Sequence, residues 1–285
     1  MWRVRTQGDA AKQSSWHIIT ITNSTEVDLT SGSTSQAHAL DLMKAAERMV
    51  FFTGAGISTE SGLPDYRGPD GVWTTGKIPT VGEEPQTEED RLEFWQYRRE
   101  SYPFMQSREP NTGHRAISNL MSQGKGIAVI TQNIDGLHQK SGVPEDRVIE
   151  LHGSTRKLRC IPHGHIIDGD VIQAQLEQGD PDPRCPECGG ILRSDTVLFG
   201  ESLPKDALEI AARVSAVTDV MVIVGSSLVV YPAAQLPQIA QKRGASLVII
   251  DRAETALDEM ADVVIRGEAG EVLSGLAKGV LEDNS

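Results

Sequence analysis

The sequence predicts an α/β fold: a parallel sheet covered by helices on both faces, with a small module inserted between its strands. Three observations predict it. Short apolar runs at Met49-Val50-Phe51-Phe52, Gly126 to Ile130, Val220 to Val224 and Ser246 to Ile250 alternate with helix-like segments, the pattern of strands buried on both faces. The first run ends in a glycine turn, Thr53-Gly54-Ala55-Gly56, before another helix-like stretch. Between Arg156 and Ser194 the composition changes to Cys, His, Pro, Gly and Asp, with one short helical piece around Val171 to Gln178.

Taken in order, residues 1 to 37 are rich in Ser, Thr and Gln, with Trp16-His17-Ile18-Ile19-Thr20-Ile21-Thr22 as their strand-like piece. They read as a loosely attached extension. A helix is expected near Ala37 to Glu47. The main domain is then assigned to residues 38–155 and 195–285, and the inserted module to 156–194. A chain of 285 residues has the length for one large domain with an insert and a sizeable core.

Composition excludes some function classes. With 27 Lys and Arg against 40 Asp and Glu the formal charge is −13, which disfavours direct nucleic-acid binding because phosphate contacts need a basic face. No stretch approaches the roughly 20 apolar residues of a membrane span, and Met1-Trp2-Arg3-Val4-Arg5 is not followed by a signal-peptide core. A cytoplasmic protein without a membrane partner is expected. Three cysteines, two of them in Cys185-Pro186-Glu187-Cys188, cannot pair off as a disulfide framework and point to metal or thiol chemistry.

The small residues of Gly54-Ala55-Gly56-Ile57-Ser58 let a backbone approach a pyrophosphate at a helix start, although such a turn also serves as a plain tight connection. The run continues Thr59-Glu60-Ser61-Gly62-Leu63-Pro64-Asp65-Tyr66-Arg67-Gly68. This string resembles the NAD-binding signature of the sirtuin family, with Leu63 and Tyr66 in place of the commoner Ile and Phe. Thr131-Gln132-Asn133-Ile134-Asp135-Gly136-Leu137-His138, Glu150-Leu151-His152-Gly153-Ser154, Phe199-Gly200-Glu201 and Gly225-Ser226-Ser227-Leu228 follow in the family's order. The resemblance runs from about Ala37 to the end. It implies a Rossmann-like doubly wound sheet with a small zinc-binding module.

The resemblance also implies an activity: NAD is consumed as a substrate to remove acyl groups from lysines, releasing nicotinamide and O-acyl-ADP-ribose. The acyl oxygen attacks the anomeric carbon of the nicotinamide ribose, and His152 then acts as general base on a ribose hydroxyl. A lone histidine reads otherwise as structural, but an unperturbed pKa of about 6.5 suits the task. Asn133 orients ribose and attacking water, and Asp135 holds the nicotinamide carboxamide, with Gln132 and Ile134 beside them. Gly54, Ala55, Gly56, Ser58, Asp65, Tyr66 and Arg67 form the first cofactor segment. Gly225, Ser226, Ser227, Asp251 and Ala269 complete the cofactor set on the adenine side. Ser226 and Asp251 stand where Thr and Asn are usual in the family. An acid at a strand end favours NAD over NADP by repelling a 2′-phosphate.

Zinc takes four N or S ligands from two short turns, here Cys160-Ile161-Pro162-His163 and Cys185-Pro186-Glu187-Cys188. The expected ligands are Cys160, His163, Cys185 and Cys188, with His165 as a rival and a metal-free module as the bland alternative. A closed site of this kind is structural. In Phe94-Trp95-Gln96-Tyr97-Arg98-Arg99, Trp95 and Arg98 resemble the Tyr and Arg that desuccinylating sirtuins carry three residues apart. Arg98 is therefore a candidate partner for an acidic acyl group, against the plain reading of a solvated helix face. Phe199, Gly200 and Glu201 are assigned to substrate. Acyl-lysine proteins or peptides are the expected partners, and deacetylation the leading activity. Desuccinylation, protein ADP-ribosylation, hydride transfer and a catalytically silent NAD-sensing module are the alternatives. Nicotinamide release separates hydride transfer from deacylation.

Overall fold

The computed structural model describes residues 29–65, 87–198 and 200–282. Six strands make one parallel sheet: β1 (Met49–Thr53), β2 (Gly126–Thr131), β3 (Val148–Glu150), β7 (Val220–Val224), β8 (Ser246–Asp251) and β9 (Val263–Arg266). Their order is β3-β2-β1-β7-β8-β9, with every pairing parallel. The chain builds outward from β1 in one direction, then returns beside β1 and builds outward in the other. The order reverses between β1 and β7, the point at which open sheets of this kind bind ligands at the carboxyl ends of their strands.

Alternate side chains of each strand feed two cores. Met49 and Phe51 of β1 join Val222 of β7, helix α1 (Leu29–Ala45), helix α3 (Thr112–Ser122) and helix α8 (Ala269–Glu282) on one face. Val50 and Phe52 join Met221 and Ile223 against helix α6 (Lys205–Ser215) and helix α7 (Gln235–Lys242) on the other. Both faces are covered, so β1 and β7 are buried at every residue. This accounts for their unbroken apolar runs.

Helix α1 begins at Leu29, inside the stretch read from composition as a loose extension. Ala39 and Met43 are fully buried in the first core, and this anchorage outweighs the polar composition of the helix's first turns. Residues 1–28, including the strand-like Trp16 to Thr22, lie outside the described residues.

The inserted module is a three-stranded antiparallel sheet, β5-β4-β6, of β4 (Gly153–Cys160), β5 (Ile166–Asp168) and β6 (Leu192–Thr196), with helix α5 (Gly169–Glu177). It has its own core of Leu158, Cys160, Ile167, Ile172, Leu176, Cys185 and Leu192. Trp95 enters that core from helix α2 (Glu88–Gln106). The short helix α4 (Leu137–Lys140) follows the β2 loop.

Candidate functional site

The segments singled out by sequence meet at the switch point, because each follows the carboxyl end of a neighbouring strand. The glycine turn leaves β1, Gln132 to Asp135 leave β2, His152 follows β3 and Gly225-Ser226 leave β7. After the turn the chain forms a 3-10 helix, Ala55–Ser61, and not a regular α-helix. Close packing requires glycine at two positions of the turn. A Cβ on Gly54 would lie 2.6 Å from the Gly225 carbonyl oxygen, and one on Gly56 would lie 2.6 Å from the Gly225 Cα. These glycines are required for two strand-end turns to touch, whatever else they hold.

Hydrogen bonds tie the turns into one wall. Gln132 Nε2 donates to Ser226 Oγ at 2.8 Å, and Asn133 Nδ2 donates to Gly54 O at 3.1 Å and Ser58 Oγ at 3.2 Å. Ser58 Oγ donates to Asp135 Oδ2 at 2.7 Å, and the Leu137 N–H to Asp135 Oδ1 at 2.9 Å. Burial raises the Asp135 pKa, and these hydrogen bonds oppose the rise.

His152 Nδ1 lies 2.7 Å from the Gln132 carbonyl oxygen. A carbonyl oxygen only accepts, so Nδ1 carries the proton and Nε2 of the neutral ring keeps its lone pair. Burial lowers the His152 pKa below the ordinary 6.5, partly offset by that hydrogen bond. The ring is thus a neutral base of fixed tautomer at neutral pH. Thr155, which no motif signalled, holds the loop from the other side: its N–H and Oγ both donate to Ile134 O, at 3.1 and 2.8 Å.

On the far side of the sheet Asp251 ends β8, half-buried, with Oδ1 accepting the Ala253 N–H at 2.9 Å. Burial is the main cause that raises its pKa. Ser227 is half-buried beside Ser226, and its carbonyl accepts from the Ala256 N–H. Asp65 pairs with Arg252 at 3.2 Å. Ala269 opens α8 with its side chain in the first core, and the next N–H, of Gly270, donates to Glu60 at 2.6 Å. Tyr66, Arg67 and Phe199 lie outside the described residues. Gly200 takes a left-handed φ of 89°, and Glu201 is held by Arg193 at 2.8 Å and by the Leu198 N–H at 2.8 Å.

The metal-type turns converge, with one correction. Cys160, His165, Cys185 and Cys188 place their ligand atoms within 4.8 Å of one another. Cys160 and Cys188 Sγ are 3.4 Å apart, and Cys185 Sγ is 3.5 Å from His165 Nδ1. A zinc–sulfur bond of about 2.3 Å puts tetrahedral ligands about 3.8 Å apart, so the donor set fits that metal. The expected ligand His163 is exposed and outside the cluster, its ring stacked on His165 at 5.5 Å. Strand register decides between them. The Cys160 N–H donates to His165 O, which returns residue 165 beside Cys160 while His163 stays at the hairpin tip.

A second correction concerns Trp95 and Arg98. Trp95 is 2% exposed in the module core, and its Nε1 donates to Asp182 at 3.2 Å. Arg98 is 4% exposed, with both terminal nitrogens 3.4 Å from Thr155 O and its guanidinium over the Tyr102 ring at 4.2 Å. Burial pulls its pKa down to about 10, and Tyr102 and Asp170 oppose that. Neither residue stands on a solvated face.

A family model, Sir2 family, matches residues 54–232. The chain is 43% identical over 234 residues to NAD-dependent protein deacetylase 1 of Bradyrhizobium diazoefficiens, covering 82% of this chain and 91% of that protein. The chain belongs to the Sir2 family. Its Sir2 relatives extend to NAD-dependent protein deacylase 2 of Pyrobaculum aerophilum, 41% identical over 84% of this chain and 94% of that one. Among solved Sir2 structures, one described in work on Sir2 mechanism and regulation superposes with a TM-score of 0.76 at 40% identity, covering 88% of this chain and 99% of that chain. A Sir2 homologue mutant in complex with ADP-ribose gives 0.77 at 34% identity, covering 87% and 97%. A Sir2 enzyme with a deacetylated p53 peptide and 3′-O-acetyl-ADP-ribose gives 0.73 at 37% identity, covering 87% and 98%.

Within this Sir2 chain the donor set at the switch point suits a dinucleotide. It offers backbone turns at two strand ends, a half-buried carboxylate at Asp135, a neutral base at His152 and a further carboxylate at Asp251. Among the described residues no helix is long and apolar enough to cross a membrane.

Proposed function

We propose that this Sir2 chain is an NAD-dependent protein lysine deacylase, with acetyl-lysine proteins or peptides as its leading substrates. One observation carries the reading: His152 is half-buried, hydrogen-bonded through Nδ1 to Gln132 O, and left with a basic Nε2 beside the Gln132–Asp135 loop. That is the arrangement for taking a proton from a ribose hydroxyl. NAD supplies the ADP-ribosyl group that accepts the acyl chain and the nicotinamide that departs.

The chain's own residues divide the remaining work. Asp135, fixed by Ser58 and the Leu137 N–H, accepts from the carboxamide of nicotinamide. Asn133, held against Gly54 and Ser58, orients the ribose and the attacking water. Gly54 to Ser58, Asp65, Gly225 to Ser227, Asp251 and the start of α8 at Ala269 surround the rest of the dinucleotide, to which the sequence motif also assigns Tyr66 and Arg67. Gly200 and Glu201 border the peptide, to which the motif also assigns Phe199. Zinc at Cys160, His165, Cys185 and Cys188 ties the module's two turns together, a structural role for four ligands with no open position.

Buried Arg98 and module-bound Trp95 favour uncharged acyl groups over acidic ones. The experiment is a panel of acetyl, succinyl and malonyl peptides incubated with NAD and read by mass spectrometry. Acetyl turnover with stoichiometric nicotinamide and O-acetyl-ADP-ribose is the expected result. NAD label retained on protein, or nicotinamide left attached to the product, would sink the proposal.

A further inference from the structure

A line of buried polar groups runs from two histidines to the Asn133 loop. His114 of α3 and His138 of α4 are 0% and 1% exposed, with ring centroids 5.0 Å apart. His138 Nε2 is 2.9 Å from Thr53 Oγ1, and Thr53 Oγ1 is 2.9 Å from Thr131 Oγ1. Thr131 Oγ1 accepts the Asn133 N–H at 3.0 Å. At the other end His114 Nδ1 is 2.9 Å from Asn111 Oδ1, an oxygen that also accepts the Gly113 and His114 N–H groups. Unpartnered buried atoms in this group are His138 Nδ1 and His114 Nε2.

The two ends fix the direction of every proton between them. His114 Nδ1 lies 3.4 Å from the Asn111 N–H but only 2.9 Å from Asn111 Oδ1, an acceptor; the closer contact puts the hydrogen on Nδ1 and leaves Nε2 a lone pair. Thr131 Oγ1 already accepts from Asn133, and Thr53 Oγ1, 2.9 Å away, can either donate to it or accept from it; we assign the Thr131 proton to Thr53, since a hydroxyl both donates and accepts. Thr53 must then donate to His138 Nε2, which puts the hydrogen of His138 on Nδ1. The reverse direction leaves the Thr131 proton without an acceptor in this line, and an unmet buried polar group is costly.

We propose that His138 is a positioning residue: through Thr53 and Thr131 it fixes the backbone N–H of Asn133 and so the loop that receives nicotinamide. This rests on the deacylase reading for what the loop receives. Burial lowers the pKa of both histidines, which keeps the line uncharged.

The full chain, labelled with 15N, tests the direction by long-range proton–nitrogen correlation of its histidine rings at neutral pH. His114→Gln and His138→Gln assign the signals. Both rings are expected as Nδ1–H tautomers, and an Nε2–H tautomer at His138 would overturn the proposal whether or not the enzyme turns over. Steady-state kinetics supply the second arm. Thr131→Val is expected to raise KM for NAD about tenfold, the worth of one buried hydrogen bond, with Thr131→Ser within about twofold of wild type. Equal kinetics for Thr131→Val and Thr131→Ser would overturn the positioning role. Absence of acyl-peptide turnover in the wild type would count against the deacylase reading alone.

Discussion

His152 owes its basicity to one carbonyl. The Gln132 oxygen fixes its tautomer, and burial holds its pKa below 6.5. His152→Ala is expected to lose about 10²- to 10⁴-fold in deacylation, the range of a general base, with circular dichroism and melting unchanged. A loss of only a few-fold would remove His152 from the chemistry. The same lowered pKa sets the pH profile. The neutral ring is the active form, so kcat/KM should rise with pH through an apparent value below 6.5 and stay level above it. A limb centred well above 6.5 would mean that another group is being titrated.

At the scale of elements, the β4–β5 hairpin selects the metal ligand. Its register returns His165 to Cys160 and leaves His163 at the tip. Elemental analysis of untagged protein should find one zinc per chain in the wild type and in His163→Ala, and little in His165→Ala. Zinc retained in His165→Ala would return the ligand to His163. Helix α2 is the second decisive element, because it locks the module to the parallel sheet's loops. Trp95 fills the module core and Arg98 holds Thr155 O, while Thr155 holds Ile134. Arg98→Ala should therefore reduce acetyl and succinyl turnover in the same proportion, as read on matched peptides. A loss confined to succinyl peptide would place Arg98 in the acyl path after all. Trp95→Ala should cost about 3 to 5 kcal/mol, as for large aromatic truncations in a core, measured by urea unfolding.

For the whole molecule, the buried histidines link the fold to acid. His114 is pulled down to about 4 by burial and His138 is lowered as well, whereas both return to about 6.5 on unfolding. The unfolded chain therefore binds more protons between those values, and stability is lost as pH falls from 6.5 toward 4. The urea midpoint should drop between pH 7.5 and pH 5, with a shallower drop in His114→Gln. That variant separates this cause from proton uptake by the zinc ligands. Equal slopes in the two proteins would remove His114 from the effect. The sequence by itself determined the class of fold, since unbroken apolar runs such as Val220 to Val224 answer to burial on both faces. It also placed Gly54, Asn133, Asp135, His152 and Ser226 beside one another, because each follows the end of a strand and parallel strands bring their ends together. Tertiary structure alone decided what depends on which neighbour a side chain meets. Hairpin register placed His165, not His163, with the three cysteines, and docking of α2 buried Trp95 and Arg98 against the inserted module. Anchoring by Ala39 and Met43 carried a helix into the polar amino-terminal stretch. Spacing along the chain reports which groups share a face; only packing fixes what stands opposite that face.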